Sequence, residues 1–203
     1  MVHSNVKGLH RLAWLALAAA LTWSGVAHAD PLPDWRATDV KGRTVDTKSY
    51  RGKVLLMFIN SPELKGQMWP ITERLILKYG DHARLEQVTL VDLREAPLTW
   101  QAAEQISGTV TEKIAAIHDW NVTHIKALLK EHDKPPIRGL DRKLHVILDW
   151  EGGLIQRYPA QDSQKTISIV VIGPQGDLIG AWPGHQLDRA IQAIDATLKT
   201  LAD

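Results

Sequence analysis

The 203-residue chain contains no cysteine. That absence excludes a disulfide framework and every reaction that needs a thiolate. Beyond residue 29 no apolar run is long enough to span a bilayer. Positive charge is not in excess either, with 24 Lys and Arg against 23 Asp and Glu. A chain so balanced has no electrostatic footprint for phosphates, and nucleic-acid binding is not expected. No glycine-rich phosphate loop is present, because Gly173-Pro174-Gln175-Gly176 reads as a hairpin turn. No G-x-S-x-G gives any serine a nucleophile-elbow context. What is present is ordinary globular material, 44% hydrophobic and 23% charged, enough to bury one core without staples.

Residues 1–29 read as a secretory signal peptide. Lys7, His10 and Arg11 form a basic start, Leu12 to Leu21 an apolar stretch, and Ala27-His28-Ala29 a small-residue cleavage site. Cleavage there removes Lys7 and Arg11 and no acid, leaving 22 basic residues against 23 acidic ones. The expected location is the periplasm, with no stable membrane insertion after cleavage; an uncleaved anchor is the alternative. Residues 30–203 then form a single domain, since no linker, repeat or low-complexity stretch divides them.

Val54 to Ile59 is a continuous apolar run, which fits a central strand covered on both faces. Before it, Val40 to Val45 predicts a short hairpin turning at Lys41-Gly42. After it, Asn60-Ser61-Pro62 breaks the strand. Ser61 is a candidate N-cap, Pro62 suits the first helical position, and Glu63 favours the positive end of the helix. Met68, Ile71, Leu75 and Leu77 continue that helix to Tyr79, with a kink expected at Pro70. Gln87 to Leu93 is a second strand. A helical segment over about 97–140 follows, with Gly108 able to split it and Asn121 expected to cap a shorter helix. His145 to Trp150 is a third strand, Thr166–Ile172 and Asp177–Trp182 a hairpin, and His185 to Leu201 a closing amphipathic helix. Strands alternating with helices imply a largely parallel sheet, and the hairpin adds an antiparallel edge.

Several segments resemble the thioredoxin-like fold, in the version used by peroxiredoxins and TlpA-type exported thioredoxins. Leu32-Pro33-Asp34-Trp35 with Thr38 to Gly42 is similar to the opening of that group. Tyr50 to Phe58 resembles its first central strand, Val146 to Gly152 a later strand, and Ile169 to Ile179 its closing hairpin. The resemblance implies an α/β three-layer sandwich: a central mixed sheet, helices on both faces, and a C-terminal β-hairpin plus helix. Two departures decide the chemistry. The family's Cys-x-x-Cys falls on Glu63-Leu64-Lys65-Gly66, and its cis-proline falls near Ile167, where no proline lies. Thiol–disulfide exchange and cysteine peroxidase activity are therefore excluded. The copper-chaperone branch needs a cysteine pair and a histidine near Ala160-Gln161-Asp162-Ser163, and neither is there. The chain resembles in kind the cysteine-less YtfJ-type periplasmic proteins.

The remaining candidates each carry two readings. Glu63 and Lys65 form an anion- or electrophile-handling site at a helix start, or simply suit the helix dipole. Asp92, Arg94, Glu95 and Asp149 end strands and line a crevice, or are solvated loop residues. His118, His124 and His132 are the densest histidine group, but His124 and His132 lie about 12 Å apart by helical rise, too far for one metal. They read as solvated surface histidines, and no metal or cofactor is expected. Of six tryptophans after residue 29, Trp69, Trp100, Trp150 and Trp182 fall near element ends, as an aromatic binding patch or as a rim on the core. The expected binding residues are thus Glu63, Lys65, Trp69, Asp92 and Trp150. The expected function is non-redox binding of an envelope protein or peptide; the alternative is a thiol-independent enzyme or small-molecule carrier using Glu63, Lys65 and Asp92.

Overall fold

The structure, a computed structural model, describes residues 32, 34–160 and 162–201. The residues read as a signal peptide and cleavage site lie outside them. Strand β3 (Val54–Asn60) is the spine, and all seven of its residues are buried. It pairs in parallel with β4 (Leu85–Asp92), which pairs in parallel with β5 (Leu144–Asp149). On its other side β3 pairs antiparallel with β6 (Ser168–Ile172), which pairs with β7 (Leu178–Pro183). The order is β5-β4-β3-β6-β7, a parallel half joined to an antiparallel hairpin. A separate hairpin of β1 (Arg36–Thr38) and β2 (Thr44–Asp46) precedes it. Its turn spans residues 39–43, and Gly42 takes a φ of 74° there, a region that other residues avoid.

Among the described residues there are five α-helices. They are α1 (Lys65–Tyr79), α2 (Leu98–Ser107), α3 (Thr109–Glu131), α4 (Leu140–Lys143) and α5 (Leu187–Thr200). Side chains alternate across a strand, so β3 presents Leu56 and Phe58 to one face and Leu55, Met57 and Ile59 to the other. The first face packs on Ile71 and Leu75 of α1 and on Ala190, Ile191 and Ile194 of α5. Its β5 side packs on α3 and α4 through Ile125, Leu129 and Leu140. The second face is covered by Trp35, Val45, Ile155 and Tyr158. These come from the β1–β2 hairpin and the 150–167 segment, whose only helical turn among the described residues is the 3-10 stretch Ile155–Arg157. The three-layer sandwich is present, with its second helical layer reduced to short 3-10 turns.

Two local expectations are corrected. Asn121 caps nothing: α3 runs unbroken from Thr109 to Glu131, because Val122, Ile125, Leu128 and Leu129 continue the buried stripe through it. The break comes earlier, at Gly108, whose φ of 65° separates α2 from α3. Ser61 stands at the start of the 3-10 turn Pro62–Leu64 but makes no capping bond, and its Oγ is buried without a partner among the described residues. Pro70 is accommodated inside α1, which continues to Tyr79.

Candidate functional site

The turn that carries the redox cysteines in the resembling family is here part of the wall of a cavity of about 850 Å³. The cavity lies between the β4–β5 side of the sheet and helices α1, α2 and α3. Its floor is Gln87, Thr89 and Val91 of β4 with Val146 of β5. Register places Gln87 beside Leu56 and Thr89 beside Phe58, so these polar side chains stand on the face where β3 carries core residues. The α1 wall is Met68, Trp69 and Thr72, and the roof is Trp100 and Ala103 of α2 with Val110 and Ile114 of α3. The volume and the mainly apolar lining with a few polar groups are those of a small-molecule pocket.

The cavity arises because only part of the helical segment reaches the sheet. The C-terminal half of α3 buries Val122, Ile125, Leu128 and Leu129, whereas its N-terminal half buries only Val110 and His118. Helix α2 has no buried residue at all. It is held instead through Glu104, whose carboxylate accepts from Val110 N and Thr111 N at 2.9 Å each and from the Thr111 hydroxyl. Burial pushes the Glu104 carboxyl up, but these hydrogen bonds outweigh it and hold it below the usual carboxylate value. At the α1–α3 seam an aromatic cluster closes one side. Trp120 stacks on His124 at 3.5 Å between centroids, and Trp69 meets both edge-on at 5.9 and 5.7 Å.

The expected binding residues divide. Glu63, Lys65 and Trp69 line the cavity, the two charged groups exposed at its edge. Asp92 and Trp150 are not among its lining residues. Asp92 is 1% exposed, not a solvated loop residue. Its carboxylate accepts from Arg94 Nε at 2.9 Å, Arg94 Nη2 at 2.7 Å and the Ser163 hydroxyl. Burial raises its pKa, yet the bonds from Arg94 and Ser163 win and the carboxyl sits below its ordinary range. Ser163 O in turn receives Ser61 N at 3.0 Å, so this network fastens the turn to the loop before β6. Asp149 is buried as well, accepting from Leu154 N and Ile155 N at 2.9 and 2.8 Å. These carboxylates are spent on backbone and arginine, and the constellation Glu63–Lys65–Asp92 does not assemble.

The histidine expectation is also corrected. His118 is 2% exposed, with Nε2 3.1 Å from Leu144 O and Nδ1 3.3 Å from Asp119 Oδ1, so it pins α3 to β5. It is buried because it falls on the same helical face as Val122 and Ile125. Of the roof, sequence reasoning singled out only Trp100, as part of an aromatic patch, and it missed Ala103, Val110 and Ile114. The available signal was Gln87 and Thr89, two polar residues on one face of a strand otherwise read as core.

No family model matches the sequence, and no curated protein matches it. Among solved structures the chain is similar to a thioredoxin candidate from Neisseria meningitidis, at 17% identity and a TM-score of 0.53, over 84% of this chain and 91% of that one. It is similar to a candidate protein disulfide isomerase from Bacteroides thetaiotaomicron, at 20% identity and 0.53, over 84% and 89%. It is also similar to a candidate thiol:disulfide interchange protein DsbE from Chlorobium tepidum, at 15% and 0.51, over 84% and 97%. At these identities the likeness is one of architecture: the chain has a thioredoxin-like fold, without the cysteines on which thiol exchange depends.

Proposed function

We propose that this is a non-catalytic, periplasmic binding protein built on a redox-inactive thioredoxin-like scaffold, and that it holds a small, mainly apolar ligand beside the former redox turn. One observation carries the reading: the cavity of about 850 Å³ between β4, α1, α2 and α3, lined by Trp69, Trp100, Val110 and Ile114. Catalysis through Glu63, Lys65 and Asp92 is set aside, since Asp92 is bound to Arg94 and Ser163. The test is a titration with 1-anilinonaphthalene-8-sulfonate, read by energy transfer from tryptophan. Saturable one-to-one binding is expected in the folded protein. Ala103→Phe, which places a ring in the roof from a helix with no buried residue, is expected to abolish it without lowering the melting temperature. Binding unchanged in Ala103→Phe would sink the reading.

A second reading, an envelope protein or peptide as partner, draws on a different feature. Leu98 and Ile106 of α2 are 80% and 85% exposed, and with Ala102 they make an outward apolar stripe. A partner captured from periplasm by the wild type and lost by Leu98→Ser with Ile106→Ser would favour it. Equal capture by both would remove it.

A further inference from the structure

The polar atoms of the cavity are not evenly distributed, and their placement restricts what the occupant's head group carries. Asn60, the last residue of β3, lines the cavity and is 5% exposed. Its Nδ2 donates to Ser61 O at 2.9 Å, while its Oδ1 has no partner among the described residues. A buried acceptor of this kind calls for a donor. Register pairs Asn60 with Val91, so it lies at the carboxyl ends of β3 and β4, the end from which the turn to α1 begins. Lys65 of α1 and Lys113, early in α3, also line the cavity. Both are exposed, and neither is in an ion pair among the described residues. One acid, Glu63, also lines the cavity.

We infer that the ligand is a single-chain anionic amphiphile whose head carries a hydrogen-bond donor next to its anionic group. The apolar chain lies along Trp69, Trp100, Ile114 and Val146. The anion meets the Lys65 and Lys113 ammonium groups at the mouth, where charge stays partly solvated. The donor, a hydroxyl or amide N–H, pairs with Asn60 Oδ1. His118 takes no part, because both of its ring nitrogens already face Leu144 O and Asp119. The assignment rests on the reading of the cavity as a ligand site, and it adds the chemistry of the head.

The experiment compares four twelve-carbon ligands below their micelle concentrations: 3-hydroxydodecanoate, dodecanoate, dodecanol and dodecyltrimethylammonium. Tryptophan emission reports binding, since Trp69, Trp100 and Trp120 all line the cavity. The hydroxy acid is expected to bind most tightly, dodecanoate about tenfold more weakly, and the cationic chain most weakly. The exposed double substitution Lys65→Ala with Lys113→Ala is expected to weaken both acids about tenfold or more and to leave dodecanol unchanged. Asn60→Leu is expected to erase the preference for the hydroxy acid over dodecanoate. If dodecanol binds as tightly as the hydroxy acid and the lysine pair is without effect, the head assignment falls while the cavity remains a ligand site. If none of the four binds, the cavity reading falls with it.

Discussion

At the scale of single residues, the turn between β3 and α1 is an ordinary helix start, a 3-10 turn at Pro62–Leu64 leading into the helix from Lys65. Gly66 lies in the first turn of α1, its φ is not positive, and a Cβ there would meet nothing within 4 Å. Gly66→Ala is therefore expected to stabilise the protein by about 0.5–1 kcal/mol, through helix propensity and a less flexible unfolded chain; urea unfolding reads this directly. Asp92 works in the opposite sense. Removing its carboxylate leaves Ser163 and Arg94 without their acceptor, and Asp92→Ala is expected to cost about 1–3 kcal/mol. Its pH dependence has a definite sign. Burial alone would raise Asp92 and Asp39, but Arg94 and Ser163 on one, and His145 and Arg43 on the other, bring both below the usual value. A carboxyl held lower in the folded chain contributes stability that is complete above the unfolded value of about 3.9. That contribution is lost as pH falls through the lower folded value. Unfolding midpoints should be level from neutral pH down to about 5 and drop below about 4, and Asp92→Asn should flatten that acid limb. An unchanged acid limb in Asp92→Asn would contradict the assignment.

At the scale of elements, α2 is the least anchored helix. It buries no side chain, it is tied to α3 by Glu104, and it is separated from it by Gly108 in the left-handed region. Hydrogen exchange of the 98–107 amides is accordingly expected to be faster than that of α1 or β3 by orders of magnitude, since exchange follows local opening. Glu104→Ala is expected to cost about 1 kcal/mol, the worth of a cap, and to speed that exchange further. Asn121→Ala should be within about 0.5 kcal/mol of the wild type, because Asn121 lies mid-helix and caps nothing. Elements with a strong pattern were legible in the sequence: the Val54–Ile59 run as the central strand, Gly108 as a break, the 185–201 stripe as the closing helix. Two things were not. Asn121 has the chemistry of a cap, and only the buried stripe on either side of it overrules that chemistry. His118 has the composition of a surface residue, and only the fit of α3 on β5 buries it.

At the scale of the whole molecule, the absence of cysteine and the presence of the cavity belong together. A thioredoxin-like sheet offers the carboxyl ends of its strands to a ligand, and here the 98–143 helical segment roofs the β4–β5 side with apolar side chains. The turn at Glu63 and Lys65 forms one edge of that cavity. The fold could be read from segment order together with the motifs at Leu32–Gly42, Tyr50–Phe58, Val146–Gly152 and Ile169–Ile179. The cavity could not, because its floor and roof come from β4, α1, α2 and α3, and its volume depends on how far α3 stands off the sheet.

The most direct test uses the indole N–H signals of the 15N-labelled protein, titrated with 1-anilinonaphthalene-8-sulfonate. Trp69, Trp100 and Trp120 line the cavity, while Trp35 is buried against the opposite face of the sheet and Trp182 packs beside α5. Saturable shifts confined to Trp69, Trp100 and Trp120 are expected. Shifts at Trp35 and Trp182 instead, or no shift at saturating ligand, would contradict the assignment of the cavity as the binding site.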